Sequence, residues 1–155
     1  MLPARRRQWH FEYPEDRLPR IHGIISDELM RAPDMCDLDG KSCLLVVKSG
    51  NATNTTLGRA NGVSSIVREY SMNTDAHCTP MEWGIINYDG KSDVFSDPGD
   101  SEAIIAGISG RIGGLLTGGA GKTTSCDMTY ATPFWWLLRR MKTSGLPDMN
   151  LNVFE

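Results

Sequence analysis

The stretch AIIAGISGRIGGLLT, Ala103 to Thr117, decides how the rest of the chain is read. Ala103–Ile108 and Ile112–Thr117 are apolar runs of strand type, and Ser109-Gly110 between them makes a tight hairpin turn. Working outward, the same character recurs in Cys43–Lys48, Val63–Tyr70, Glu82–Asn87 and Met128–Thr132. The connections carry Ser49-Gly50, Asn61-Gly62 and Asp89-Gly90, residue pairs that turns favour. A helix is expected after the last run. Thr132 is its N-cap and Pro133 its first residue, with Phe134, Leu137, Leu138 and Met141 on one face and Gly145 to end it. Six strands and a terminal helix predict an all-β fold, a six-stranded antiparallel Greek-key barrel with a C-terminal α-helix outside it, over residues 35–155. Residues 1–34, broken by Pro3, Pro14, Pro19 and Pro33, are expected to form an irregular arm. Within it Ser26 caps one short helix, Asp27 and Glu28 suit its positive end, and Pro33 closes it.

Composition narrows the function classes. A chain of 155 residues is one domain with a respectable core. Its net charge of −3 predicts neither a nucleic-acid partner nor a membrane partner. The cluster Arg5 to Arg7 reads as a solvated tail, and no apolar run of signal-peptide length follows it, so the default expectation is a cytoplasmic protein. Cys36, Cys43, Cys78 and Cys126 have no C-x-x-C spacing, and His77 beside Cys78 has no further ligand at zinc-site spacing. No metal and no cofactor are expected. Asn51-Ala52-Thr53 and Asn54-Thr55-Thr56 read as turn residues.

The glycine run LLTGGAGKTT, Leu115 to Thr124, imitates a phosphate loop and fails its test. Such a loop needs a glycine five positions before Gly121, and Leu116 stands there. A helix should begin at Lys122 to face the phosphates, but the following residues are β-branched and polar as far as Pro133. Nucleotide binding is therefore disfavoured.

The chemistry-bearing constellation lies upstream, at Gly99-Asp100-Ser101 on a turn before an apolar strand. An acyl-transfer serine needs its hydroxyl projected from such a turn, with the N–H groups of Gly99 and Ser101 converging on a developing oxyanion. Glycines on a neighbouring strand let an extended peptide lie against the backbone. On the tripeptide alone an ordinary Asp-Ser turn at a strand entrance is the favoured reading, since G-D-S is common by chance.

Residues 95 to 138 resemble the C-terminal barrel of chymotrypsin-like serine peptidases, where a G-D-S-G turn leads through a hairpin to the specificity-pocket wall, a strand and a helix. More widely, LLVVKSGNATNTTLGRANG, EWGIINYD and GRIGGLLTGGAGKT are similar to the C-terminal part of large fungal proteins of the trypsin-like superfamily. The resemblance implies that Ser101 is the nucleophile, that Gly99 and Ser101 supply the oxyanion donors, and that Thr117, Gly118 and Gly119 pair with a peptide or protein substrate. It implies a structural role for Asp100 beside the site.

Two departures qualify the implied activity. Glu102 stands where the family has glycine, and it threatens to distort the turn, block the cleft or oppose negative charge at the oxyanion. The family's triad histidine and aspartate lie on a first barrel, for which this chain has no room. His10, His22 and His77 read as surface or packing residues rather than as a substitute base. The resulting expectation is a serine-endopeptidase-like C-terminal half, inactive alone, that associates with itself or with a first barrel. The alternative is a non-catalytic peptide- or protein-binding module. Trp83, Trp135 and Trp136 read as core or interface residues.

Overall fold

The computed structural model describes residues 20–37, 39–67, 80–120 and 128–151. In chain order the elements are β1 (Gly23–Ile24), α1 (Asp27–Arg31), β2 (Met35–Cys36), β3 (Ser42–Gly50) and β4 (Asn54–Ile66). They continue with β5 (Met81–Asn87), β6 (Ile104–Gly107), β7 (Arg111–Ala120), β8 (Met128–Pro133) and α2 (Phe134–Thr143). Neighbouring strands run in the order β7-β6-β3-β4-β5-β8, and β8 pairs back onto β7. All six of these pairings are antiparallel, so the sheet closes into a barrel and the barrel strands have no free sheet edge along most of their length. The short strand β1 runs parallel to the start of β7, and β2 pairs with β3. No described helix is long and apolar enough to cross a membrane.

Two-residue alternation fills the barrel. Leu44, Val46 and Lys48 of β3 are buried, as are Trp83 and Ile85 of β5, Ile105 of β6, Leu116 of β7 and Ala131 of β8. Ile25, Met30, Met35 and Phe95 join the same core. Burial on this scale stabilises by about 1.5–3 kcal/mol per large side chain.

Several local expectations are corrected by tertiary contacts. Ser49-Gly50 does not form the turn; β3 runs through Gly50, and the turn falls on Asn51 to Thr53. Asn61-Gly62 is likewise no connection but part of β4, which starts nine residues earlier than Val63, at Asn54. The strand irregularity between Ala60 and Ser64 lets Gly62 press against α1, where a Cβ would lie 2.4 Å from the Arg31 carbonyl oxygen. Residues 68–70 of the expected strand lie outside the described residues. Thr132 does not cap α2: its hydroxyl donates to the Glu82 carboxylate at 3.1 Å, and Pro133 is the N-cap. The helix still begins and ends close to the expected residues, with Gly145 at φ +105° just past the Ser144 cap. Ser26 caps α1 as expected, its hydroxyl accepting from the Leu29 N–H at 3.3 Å.

Candidate functional site

The loop between β5 and β6 carries the Gly99-Asp100-Ser101 turn, and the first question is what gives it a shape. Asp100 is the answer. Its side chain is fully buried against the equally buried Lys48, with Nζ to Oδ2 at 2.9 Å. The Asp100 carboxylate also accepts from the N–H groups of Ala52 (2.7 Å), Thr53 (3.2 Å) and Asp97 (3.3 Å), and from the Thr53 hydroxyl (2.6 Å). Lys48 in turn donates to the Thr53 hydroxyl and to the Asn54 carbonyl at 3.3 Å, and its ammonium lies 5.8 Å from the Phe95 ring centre. Burial pushes the Asp100 pKa up, but Lys48, the Thr53 hydroxyl and the backbone donors outweigh it and hold the carboxyl well below its ordinary range. The close fit needs a glycine at position 50, where a Cβ would sit 2.2 Å from Asp100 Oδ1.

Pinned at this carboxylate, the turn presents its backbone outward. The Asp100 N–H donates to the Asp97 carbonyl at 3.0 Å, and the Glu102 N–H donates to the Leu116 carbonyl on β7 at 2.8 Å. The N–H groups of Gly99 and Ser101 donate to nothing among the described residues, and both residues are exposed. Gly99 has φ +110°, and Glu102, exposed, has φ +69°. The left-handed conformation at Glu102 suits glycine and costs a side-chain-bearing residue roughly 1–2 kcal/mol.

Beside Ser101 lies a cavity of about 310 Å³ lined by Ser96, Asp97, Pro98, Ser101, Leu116, Gly118 and Gly119. The Ser96 hydroxyl is held by Thr129 Oγ1 at 2.6 Å. One wall is the end of β7. Its pairing with β6 stops at Leu115, whereas Gly118 to Ala120 remain paired with β8 on the other side. From Thr117 to Ala120 β7 therefore offers one edge with no strand partner among the described residues. Thr117 is beside the cavity rather than in its lining, and its hydroxyl donates to the Tyr130 carbonyl (3.2 Å) and lies near the buried Glu82 carboxylate (3.4 Å).

The other sequence candidates fall elsewhere. His22 sits at the opposite end of β7, its N–H bonded to the Gly110 carbonyl at 2.9 Å. At about 3.3 Å per strand residue, the stretch from Gly110 to Leu116 separates it from Ser101 by roughly 20 Å. His10, His77, Cys78, Cys126 and the Gly121–Thr124 part of the phosphate-loop look-alike lie outside the described residues. Leu115 to Ala120, its first part, are strand. Among the described residues Cys36 and Cys43 are free, and no three His, Cys, Asp or Glu side chains cluster as metal ligands do.

Sequence reasoning did not single out Lys48, Thr53 or the cavity residues Ser96 to Pro98. A signal for Lys48 existed: it continues the inward alternation of Leu44 and Val46, so a charge was due in the core, and a buried charge needs a partner. No protein-family model matches the chain, and no curated protein matches it.

Proposed function

We propose that the cleft around Ser101 is a serine-peptidase-like half-site that holds an extended peptide. In this reading Ser101 occupies the nucleophile position and the N–H groups of Gly99 and Ser101 form the oxyanion pocket. The observation that carries it is a conjunction: an exposed Ser101 and an open strand edge at a 310 Å³ cavity, on a pinned turn whose Gly99 and Ser101 N–H groups are unpaired among the described residues, Gly99 standing beside the lining rather than in it. A strand edge gives a peptide main-chain hydrogen bonds, and a cavity gives one of its side chains a place.

Peptide-bond cleavage would require a base to take the Ser101 hydroxyl proton as Oγ attacks the carbonyl carbon, then return it to the leaving amine. His22, the one histidine among the described residues, is too far away for that task, and this reading assigns the base to a separate partner, a first barrel. The exposed Glu102 carboxylate, next in the chain to Ser101, adds a negative charge that opposes a developing oxyanion and favours the second reading, a module that binds peptide without cleaving it.

Two measurements test the proposal. A fluorophosphonate probe is expected to label the chain barely, since an unassisted serine is a poor nucleophile. Strong labelling lost in Ser101→Ala would instead place a base within reach. In NMR titrations with extended tetrapeptide amides, shifts are expected at Ser101, Gly118 and Gly119. Their absence across varied peptides would reject the half-site.

A further inference from the structure

A second concavity lies on another face of the barrel and shares no lining residue with the Ser101 cavity. It measures about 100 Å³, and its walls include Met30 of α1, Met81 and Trp83 of β5, and Trp135 and Trp136 of α2, with Ser64 of β4 and the mutually ion-paired Asp27 and Arg31 of α1 as its polar part. Around its mouth the surface is unusually apolar. Met81 is 64 % exposed, its cross-strand partner Ile66 is 73 % exposed, and Trp136 is 45 % exposed. Scattered apolar side chains are normal on a surface, but a cluster around a pocket marks a contact site. Trp83 and Trp135 carry the two buried indole N–H groups that lack an acceptor among the described residues. Native packing seldom leaves such donors, and both belong to this one site.

Charge surrounds the patch on one side. Arg139 and Arg140 stand three and four positions after Trp136, on the same exposed face of α2. Neither makes an ion pair among the described residues. The helix contains Arg139, Arg140 and Lys142 and no acidic residue, although the chain as a whole carries net −3.

We infer that this face is a docking surface for a protein segment that inserts one leucine- or methionine-sized side chain into the cavity and sets carboxylates against Arg139 and Arg140. The concavity decides between a protein and an anionic bilayer. Exposed indoles and arginines suit a bilayer surface as well, but an anchor residue in a tryptophan-walled pocket is how protein interfaces concentrate their affinity, and a pocket walled by three tryptophans fits that pattern. The charge distribution decides the flanks: Asp27 in the wall is neutralised by Arg31, whereas the guanidiniums of Arg139 and Arg140 are unpaired among the described residues and select acidic neighbours over basic ones.

The test pans a displayed random-peptide library against the full chain and then measures the selected peptides by fluorescence anisotropy. The expected consensus is one aliphatic anchor with flanking Asp or Glu. Ser64→Phe, which plugs the cavity from an exposed position, and Arg139→Glu/Arg140→Glu are each expected to weaken binding at least about tenfold. Urea midpoints unchanged from the parent would show that both variants remain folded. Selected peptides without an acidic or apolar consensus, binding that survives both variants, or failure to select any peptide would overturn the inference. So would binding to phosphatidylserine vesicles that Ser64→Phe leaves intact, which assigns the face to lipid. A dimer abolished by Met81→Lys would assign it to a second copy and overturn it equally.

Discussion

Replacing Lys48 by methionine isolates the contribution of the charge buried under the Gly99–Ser101 turn. Methionine approximates the lysine stem in volume, so the change deletes the ammonium and little packing. Removing one partner of a buried ion pair costs about 3–5 kcal/mol, because the remaining charge stays desolvated. No discount for solvent screening applies, since both side chains have 0 % exposure. The orphaned Asp100 keeps four donors, from Ala52, Thr53 (backbone and hydroxyl) and Asp97. That retention places the expected loss near the lower end, about 3 kcal/mol at neutral pH. Urea unfolding followed by tryptophan fluorescence measures it, with the buried Trp83 as an internal reporter. The pH dependence carries the sign. Asp100 has its folded pKa depressed below the ordinary 3.8, so in the parent its stabilisation is present above that value and is lost as pH falls below it toward the folded pKa. In Lys48→Met the ammonium no longer opposes burial, the folded pKa rises, and the deficit narrows as the solution is acidified from neutrality. Lys48→Met/Asp100→Asn, with no charge left to strand, is expected to be more stable than Lys48→Met alone. A loss under about 1 kcal/mol that stays flat with pH, or strict additivity in the double variant, would refute the reasoning.

Other expectations follow from the same site. Glu102→Gly relieves the left-handed strain of roughly 1–2 kcal/mol and adds a glycine entropy cost of about 0.5–1, so a net gain of about 0.5–1 kcal/mol is expected in thermal unfolding; a loss of stability would mean that the Glu102 side chain makes a stabilising contact. Gly50→Ala drives a methyl into the fixed Asp100 carboxylate and is expected to cost about 1–3 kcal/mol, in contrast to Gly90→Ala, where a Cβ meets nothing and no steric loss follows; equal urea midpoints for the two variants would contradict this. The chain is expected to bind neither ATP nor GTP, and micromolar affinity abolished by Lys122→Ala in calorimetry would overturn that expectation.

The barrel was legible because its strands announce themselves twice, by apolar alternation and by turn residues between them. The hairpin at Ser109-Gly110 is purely local, and it forms as read. What escaped were features set by distant partners. Asn61-Gly62 has turn chemistry, yet α1 packs on it and β4 runs through. Thr132 has cap chemistry, but Glu82 from a neighbouring strand claims its hydroxyl. The same asymmetry holds at the candidate site. Gly99, Asp100 and Ser101 stand together in the chain and were visible, while Lys48 and Thr53 lie about fifty positions away and meet Asp100 only through the closed sheet. The second concavity was less legible still, because it is assembled from five separate elements.

The buried pair also governs when the turn can open. Lys48 lies on the first barrel strand and Asp100 on the loop between the third and the fourth, and each charge is tolerable inside only with the other in place. A local fluctuation that exposed the turn alone would have to strand one of them in the core. Motions of the turn are therefore tied to the opening of β3 and its neighbours, and the amide of Ala52, bonded to Asp100, is expected to exchange only with that opening. A surface loop of this kind ordinarily frays first; here a buried ion pair clamps it to β3, and the turn keeps its shape for as long as the barrel is folded.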